Sequence, residues 1–374
     1  MIDLDDENLI KRYDKSDQLN IMNEWSSLVK EARKQSLKLE IPQNINWKDK
    51  VITYKKPSNI VICGMGGSAI AGDYIISLFQ KELNIPVMVN REYALPHFVD
   101  ESTLVICISY SGNTEETLSR FLDALQKNAM IISISSSGAL ESFSQKTGCP
   151  HIKIREGLPP RCSLPLIYIS LITILEKLGM ISSSDEAIIE TEKILKELAL
   201  EYSPEVSIDL NIPKKIAYGL FNTLPIFLGH TIYSPVAYRA KSEFNENSKI
   251  IALSEEIPEQ NHNSIVIFDN PNKALNDVAF IFFRDKDEPK AINMRIEEVK
   301  KLASDRTEKV LEIFPQGESS LAKQLSSTYL IDFISIYLAI LYEVDPSITP
   351  SINNLKSVLK KNLNLVDEIK KQIL

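Results

Sequence analysis

The 374-residue chain is predicted to be an α/β protein of two lobes, each a mainly parallel sheet flanked by helices in a three-layer sandwich. Two observations carry that expectation. Between about 58 and 165, short β-branched runs at 59–63, 86–90, 103–108, 129–134 and 151–154 alternate with helix-length patterns. Alternation of this kind marks parallel strands joined by crossover helices. A turn-rich stretch follows from Pro204 to Pro213, with a proline at each end and no clear period, and alternation then resumes. Apolar runs at 223–229, 264–268, 278–284 and 308–314 are the second set of strand candidates. The expected division is 1–203 for the first lobe with its leading helices and 204–374 for the second.

The other elements follow in order. Residues 1–50 read as one or two amphipathic helices, because Ile21, Trp25, Leu28 and Val29 recur at helical spacing. The run Asn59-Ile60-Val61-Ile62 leads through a glycine-rich turn into a helical pattern from Ala69 to Gln80. Pro165 to Leu178 and Ser184 to Glu201 are helix candidates, the second with a charged face. A long helix is expected near 320–344 and a final one over about 350–372. The most apolar long stretch, Tyr329 to Tyr342, contains Asp332 and falls short of the ~20 residues of a membrane span, so it reads as a core helix.

A hydrophobic content of 44% with 25% charged residues describes a soluble globular protein. The net charge of -8 disfavours nucleic acid or an anionic membrane as partner, but not a small anionic substrate held by local donors. Cys63, Cys107, Cys149 and Cys162 form no Cys-x-x-Cys pair and read as reduced thiols of a cytoplasmic protein. The acidic start, Met1-Ile2-Asp3-Leu4-Asp5-Asp6-Glu7, has neither the basic region nor the apolar core of a signal peptide.

Two of the predicted strands end in segments suited to an anion. The first is Gly64-Met65-Gly66-Gly67-Ser68; the second is Ser109-Tyr110-Ser111-Gly112-Asn113-Thr114, which precedes Glu115-Glu116-Thr117-Leu118. Each reads as strand, turn, helix N-terminus, a place where unpaired N–H groups and the helix dipole favour negative charge. Ser109, Ser111 and Thr114 add neutral donors at close spacing, which suits a phosphate monoester. No lysine follows either turn as a nucleoside-triphosphate loop requires, and Ala69 breaks a dinucleotide fingerprint at its third glycine. The plain alternative is that Ser109 and Thr114 only cap a helix. The second lobe has no obvious copy of the Ser109–Thr114 loop.

The ordered set of these two loops, Pro160-Arg161, Phe244-Asn245-Glu246-Asn247, His262 and Lys356 resembles sugar isomerase (SIS) domain proteins. From about Ile60 to Lys356 the chain looks like the bifunctional phosphoglucose/phosphomannose isomerases of the phosphoglucose isomerase superfamily. The resemblance implies two SIS domains and a metal-independent, cofactor-free interconversion of glucose 6-phosphate and mannose 6-phosphate with fructose 6-phosphate, a step of carbohydrate metabolism. It maps Glu246 onto the catalytic base, and aldose–ketose isomerisation does call for one carboxylate at the C1–C2 edge. Asn245 and Asn247 flank that carboxylate without adding charge. Taken alone, Glu246 reads as a solvated helix residue, as most glutamates are. Arg161 is given the role of stabilising the enediolate, against a surface or ion-pairing arginine. His262 is given ring opening, supplied across a homodimer interface, and Lys356 assists it. Without the resemblance His262 is a solvated loop histidine, and Lys356 a solvated helix lysine near Lys360 and Lys361. Gly67, Ser68, Ser109, Ser111 and Thr114 are implied to bind the substrate phosphate. Thr349 stands where the bifunctional enzymes carry threonine and conventional phosphoglucose isomerases a larger glutamine, leaving room for the enediol to turn; its alternative is a helix cap before Pro350.

Two other readings stay open at this point. One is another sugar-phosphate isomerase or a lyase on the same domain. The other is a non-catalytic sugar-phosphate sensor, which needs the Ser109–Thr114 loop but not Arg161, Glu246 and His262 together. No His/Cys/Asp/Glu cluster has zinc-ligand spacing.

Overall fold

The computed structural model describes residues 2–270 and 273–373. They group into two compact units: Met1–Ser26 with Asp185–Ile348, and Ser27–Ser184 with Thr349–Leu374. Each unit is built on an all-parallel sheet covered by helices.

The chain opens with α1 (Glu7–Tyr13), α2 (Gln18–Asn23) and α3 (Trp25–Ser36), three helices where the spacing predicts one or two. Asp6 caps α1 by accepting from the Asn8 N–H at 2.8 Å. An antiparallel hairpin follows, β1 (Asn44–Trp47) with β2 (Lys50–Thr53), inside the stretch expected to be helical. Its strands are only four residues each, too short for alternation to stand out.

All five strand candidates of the first lobe are strands: β3 (Asn59–Cys63), β4 (Val87–Asn90), β5 (Thr103–Ile108), β6 (Met130–Ser135) and β7 (His151–Lys153), in the order β4-β3-β5-β6-β7. Between and after them run α4 (Gly67–Phe79), α5 (Glu115–Gln126), α6 (Gly138–Thr147) and α7 (Leu164–Lys177). Every residue of β5 and β6 is buried, because both faces of the sheet are covered. On one face Val61, Val105 and Ile131 join Leu118, Phe121, Leu140 and Phe143 of α5 and α6. On the other, α4 lies so close to Ile62 and Val89 that a Cβ on Gly72 would meet Val89 Cγ2 at 2.7 Å. Tyr74 of α4 and Tyr168 of α7 pack edge to face at 5.4 Å.

The other unit continues with α8 (Asp185–Tyr202) and α9 (Ile212–Leu220). Its sheet has the order β11-β10-β8-β9, from β8 (Leu224–Gly229), β9 (Leu253–Glu256), β10 (Val278–Phe283) and β11 (Val310–Ile313). Helices α10 (Ser234–Glu243), α11 (Lys290–Ser304) and α12 (Ser320–Leu341) flank it, and α13 (Pro350–Leu363) and α14 (Leu365–Ile373) end the chain. The expected strand at 264–268 is instead a 3₁₀ segment, Ser264–Asp269, in which only Phe268 is buried. The missing strand is β9, Leu-Ser-Glu-Glu, at the sheet edge. An edge strand has one neighbour and tolerates charge, so hydrophobicity does not mark it.

The grouping of the chain differs from the contiguous division 1–203 and 204–374 at three places. The 204–213 stretch is not a loose linker: Lys214, fully buried, donates to the carbonyls of Pro204 and Val206 at 2.8 Å and to Asp5 at 2.9 Å. Helices α1 and α2 belong with α12, where Tyr329 donates to the Met22 carbonyl at 3.1 Å. Helix α14 belongs with the first sheet, its Ile369 and Ile373 joining the cluster around Phe121 and Phe143. The expected final helix is broken in two at Asn364, in the left-handed conformation at φ 50°.

Helix α12 has 22 residues and is long and apolar enough to cross a membrane, so the length argument made from 329–342 fails. The core-helix reading stands, since Leu321 through Leu341 are all buried and Asp332 pairs with Arg239 at 2.6 Å.

His151 opens β7 with Nδ1 2.8 Å from Ser133 Oγ, and burial pushes its pKa down to about 4. An unfolded histidine titrates near 6.5. As pH falls from about 6.5 to about 4 the unfolded chain therefore binds the proton first, and native stability is lost over that window. His151→Gln should lessen the loss between pH 7 and pH 4.5 by up to roughly 2–3 kcal/mol. Urea melts of both proteins at the two pH values measure it, and parallel losses would show that this histidine stays out of the titration.

Candidate active site

The first sheet reverses its winding between β3 and β5, and open α/β sheets hold ligands outside the carboxyl ends of strands at such a switch point. Both phosphate-loop candidates lie there. Gly64 to Gly66 connects β3 to α4, and Gly66 has φ 49° and ψ -126°, a conformation that favours glycine. Gly67 begins α4 and Ser68 is buried in its first turn.

The second loop departs from the expected pattern in a useful way. Two of the N–H groups expected to point outward are paired within the loop. Asn113 N–H donates to Ser111 Oγ at 3.3 Å and Thr114 N–H to Ser109 Oγ at 3.4 Å. A hydroxyl that accepts an N–H keeps its own O–H to donate, so the loop presents hydroxyl donors. Ser109 Oγ and Thr114 Oγ1 are 2.9 Å apart, and Ser111 is exposed. Thr114 holds the N-cap position of α5, yet its side chain makes no capping bond. The helix-cap alternative thereby loses its support at Thr114.

A third hydroxyl-rich turn, Ser135-Ser136-Ser137-Gly138, buttresses this loop, and sequence reasoning passed over it. The signal was present, since it too follows an apolar run and opens a helix. A Cβ on Gly112 (φ 66°) would lie 1.7 Å from the Ser137 carbonyl oxygen, and one on Gly138 (φ 84°) would lie 2.5 Å from that of Ser111. Asn113 bridges the turns, donating to the Ser111 carbonyl at 3.0 Å and accepting from the Ala139 N–H at 3.1 Å.

Arg161, half-buried, lies in the 3₁₀ turn Pro160–Ser163 that enters α7. Two contacts bring this turn to the same end of the sheet. Leu158 N–H donates to Tyr110 Oη at 2.7 Å, and a Cβ on Gly67 would lie 3.6 Å from the Pro160 carbonyl oxygen. Gly67, Ser68, Ser109, Ser111, Thr114 and Arg161 are thus carried by loops that touch one another.

Glu246, half-buried, lies in the other unit, in a π-helical turn, Phe244–Ser248, that continues α10. Such turns recur at functional sites. Phe244 anchors it by packing edge to face on Phe227 at 4.8 Å. The flanking asparagine amides hold the turn's framework: Asn245 donates to the Ile250 carbonyl at 2.8 Å, and Asn247 to Glu243 at 3.0 Å and Ser335 at 2.9 Å. Lys249, left-handed at φ 58°, closes the turn and donates Nζ to the carbonyls of Glu246 at 2.7 Å and Asp345 at 2.9 Å.

His262 ends the 3₁₀ turn Glu259–His262 in the same unit as Glu246 and is exposed. Thr349 and Lys356 belong to the segment grouped with the first sheet. Thr349 is half-buried at the N-cap of α13, and its side chain makes no capping bond. Lys356 is exposed in the middle of α13.

The second sheet has its own switch point, between β8 and β10. Charged side chains occupy it. Tyr233 donates to Asp285 at 2.6 Å, Lys323 of α12 donates to Asp285 at 2.9 Å, and Arg284 pairs with Glu288 at 2.6 Å. Buried His230, its pKa lowered by burial, lies 3.6 Å from Glu288. These paired charges fill the crevice, in keeping with the absence of an obvious second Ser109–Thr114 loop from the sequence.

The SIS domain family matches residues 53–149, and the bacterial phospho-glucose isomerase C-terminal SIS domain matches residues 210–359. A bifunctional phosphoglucose/phosphomannose isomerase of Caldicellulosiruptor bescii is 40% identical over 321 residues, 86% of this chain and 94% of that one. Its counterpart from Aquifex aeolicus is 33% identical over 317 residues, 84% of this chain and 95% of that one. A solved structure of a hypothetical protein from Thermus thermophilus matches with a TM-score of 0.70 over 96% of this chain and 94% of its own, at 16% identity, a likeness of fold alone. With two SIS domains in order and relatives this similar over most of their length, the chain belongs to the bifunctional phosphoglucose/phosphomannose isomerase family.

Proposed function

We propose that this protein interconverts glucose 6-phosphate and mannose 6-phosphate with fructose 6-phosphate in the cytoplasm, without metal or cofactor. The observation that carries the reading is the hydroxyl-lined Ser109–Thr114 loop at a switch point, with the Arg161 turn locked beside it. Ser68, Ser109, Ser111 and Thr114, with the Gly67 backbone, hold the 6-phosphate. In the open-chain aldose Glu246 takes the C2 proton, the C1–C2 double bond forms, and O1 gains a proton to give the cis-enediol. Return of the carbon-bound proton to C1, with loss of the O2 proton, gives the ketose. The atoms balance without an external reductant. Arg161 stabilises the negative charge that develops on the enediolate.

Opening the pyranose ring moves a proton between the anomeric hydroxyl and the ring oxygen, a task for a side chain that can both donate and accept a proton, as an imidazole does. His262 from a second copy of the chain does this, assisted by Lys356. Support for a homodimer comes from α13, which buries no residue and exposes Ile352, Leu355 and Val358, apolar side chains that a second subunit would cover.

Glucose and mannose 6-phosphates differ only at C2 and yield one enediol, provided it turns about C2–C3 before reprotonation. Thr349 leaves room for that turn, so one base serves both sugars.

Loss of one neutral donor to phosphate is worth about 0.5–1.5 kcal/mol, so Ser111→Ala and Thr114→Ala should each raise KM by roughly 2- to 10-fold with kcat little changed. Wild-type KM in both would place the phosphate elsewhere.

Coupled assays on both aldose phosphates, with and without chelator, test the reaction itself. Activity on both should survive chelation. Glu246→Gln keeps the size and removes the base, and kcat should fall by at least about a hundredfold on both sugars. Near-normal turnover of either one would mean that another group is its base.

Thr349→Gln should crowd C2–C3 rotation, which direct proton return to the glucose epimer does not need. Turnover of mannose 6-phosphate should fall more than that of glucose 6-phosphate, a difference between two transition-state energies. Equal losses in the two assays would assign Thr349 to packing or general binding.

A further inference from the structure

We infer that a buried chain of polar groups, Asp332–Arg239–Glu243–Asn247, positions Glu246 for proton transfer and serves the geometry of the base rather than the stability of the fold. The inference rests on the reading of Glu246 as the base. It starts from an oddity of α12, whose apolar second half, Leu330 to Leu341, carries a carboxylate at Asp332 that is 2% exposed. An ionised carboxylate in such a place costs several kcal/mol unless it is paired with good geometry.

Arg239 of α10, also 2% exposed, supplies that geometry. Its guanidinium meets Asp332 with both prongs, Nε to Oδ1 at 3.1 Å and Nη2 to Oδ2 at 2.6 Å. The same Nη2 lies 3.1 Å from Glu243 Oε1. Glu243 Oε2 accepts from Asn247 Nδ2 at 3.0 Å, and that amide also donates to Ser335 Oγ at 2.9 Å. Ser335 Oγ donates back to the Asp332 carbonyl at 2.7 Å, and Ser248 Oγ donates to the Ser335 carbonyl at 2.7 Å.

Arg239, Glu243 and Asn247 recur every four residues, so they share the face of α10 and its π-turn that meets α12. Glu246 sits between the last two of these anchors. A π-turn is wider than an α-turn and interrupts the regular ladder, so the direction of its side chains depends on what holds its far end. Here Asn247 and Ser248 are both tied to Ser335, one turn along α12 from Asp332. Displacing a catalytic group by about 1 Å can cost roughly a hundredfold in rate.

A buried ion pair is weak evidence for stability, because apolar residues of similar volume often replace it at no cost, whereas removing one partner alone is destabilising. That asymmetry separates the two roles. Asp332→Asn keeps the shape and weakens the link to Arg239. Arg239→Met with Glu243→Gln and Asp332→Leu removes every charge of the chain at once and leaves no carboxylate stranded.

The expected result is a fall in kcat of about tenfold or more in both variants, with KM within about twofold of wild type. The triple variant should fold with a thermal midpoint near that of wild type. The second half of the test repeats Asp332→Asn in the Glu246→Gln background, with residual turnover read at high enzyme concentration. A positioning residue acts only through the group it positions, so no further loss is expected there. The same fold-loss with and without Glu246 would overturn the inference, as would a folded triple variant with wild-type kcat, or a loss that merely tracks the folded fraction by circular dichroism. Should Asp332→Asn not fold, the triple variant carries the test, both alone and with Glu246→Gln. Glu246→Gln by itself reports on the base independently of the chain behind it.

Discussion

Two backbones in the unit of the first sheet pass so close that neither has room for a side chain. Gly112 lies against the Ser137 carbonyl and Gly138 against that of Ser111, each at positive φ. This contact sets the height and tilt of the Ser109–Thr114 loop above the sheet, and much else depends on it. It lets Asn113 bridge to Ala139, brings the Ser109 and Thr114 hydroxyls within hydrogen-bond distance, and turns the loop so that Tyr110 can receive the Leu158 N–H. The turn bearing Arg161 is therefore positioned by the same constraint that shapes the phosphate loop. A loop that only capped a helix would need none of this.

The two sheets share a winding pattern and differ in what stands at their switch points. Where the first has hydroxyls and glycines, the second has Asp285, Glu288, Arg284 and Lys323 neutralising one another. A parallel sheet creates the crevice in either case. Side chains decide whether it receives an anion or is filled from within. In the unit of the second sheet, charges buried between α10 and α12 hold the short irregular π-turn in place.

Much of the fold could be read in advance because strands covered on both faces write themselves as unbroken apolar runs. Strands β3, β5, β6, β8 and β10 were legible for that reason, and the edge strands β4, β7 and β11 as shorter runs in the same alternation. What escaped had a local reason. Edge strand β9 carries two glutamates because one side of it needs no cover. The 264–268 run is apolar yet coils as 3₁₀, since only Phe268 reaches the core. The 204–213 segment looks like a linker until Lys214 is seen drawing its carbonyls inward. Among the candidate site residues, the two loops proposed to hold phosphate could be singled out because their signal is local, hydroxyls and glycines within a few positions. The Ser135–Gly138 turn carried the same signal and was passed over. Glu246, His262 and Lys356 had no local signature beyond their residue type and were singled out by resemblance.

The sequence by itself determined the α/β class, the strands of the sheet interiors and the family, because each is written in short-range pattern or in ordered motifs. Only the tertiary structure decided how the ends of the chain are shared between the units, which loops brace one another, and which buried charges stand behind the π-turn. Asp332 and Arg239 are 93 residues apart in sequence, and nothing near either announces the other. Pairing over such distances is settled by which faces must be buried together, and that becomes visible only once the chain is folded.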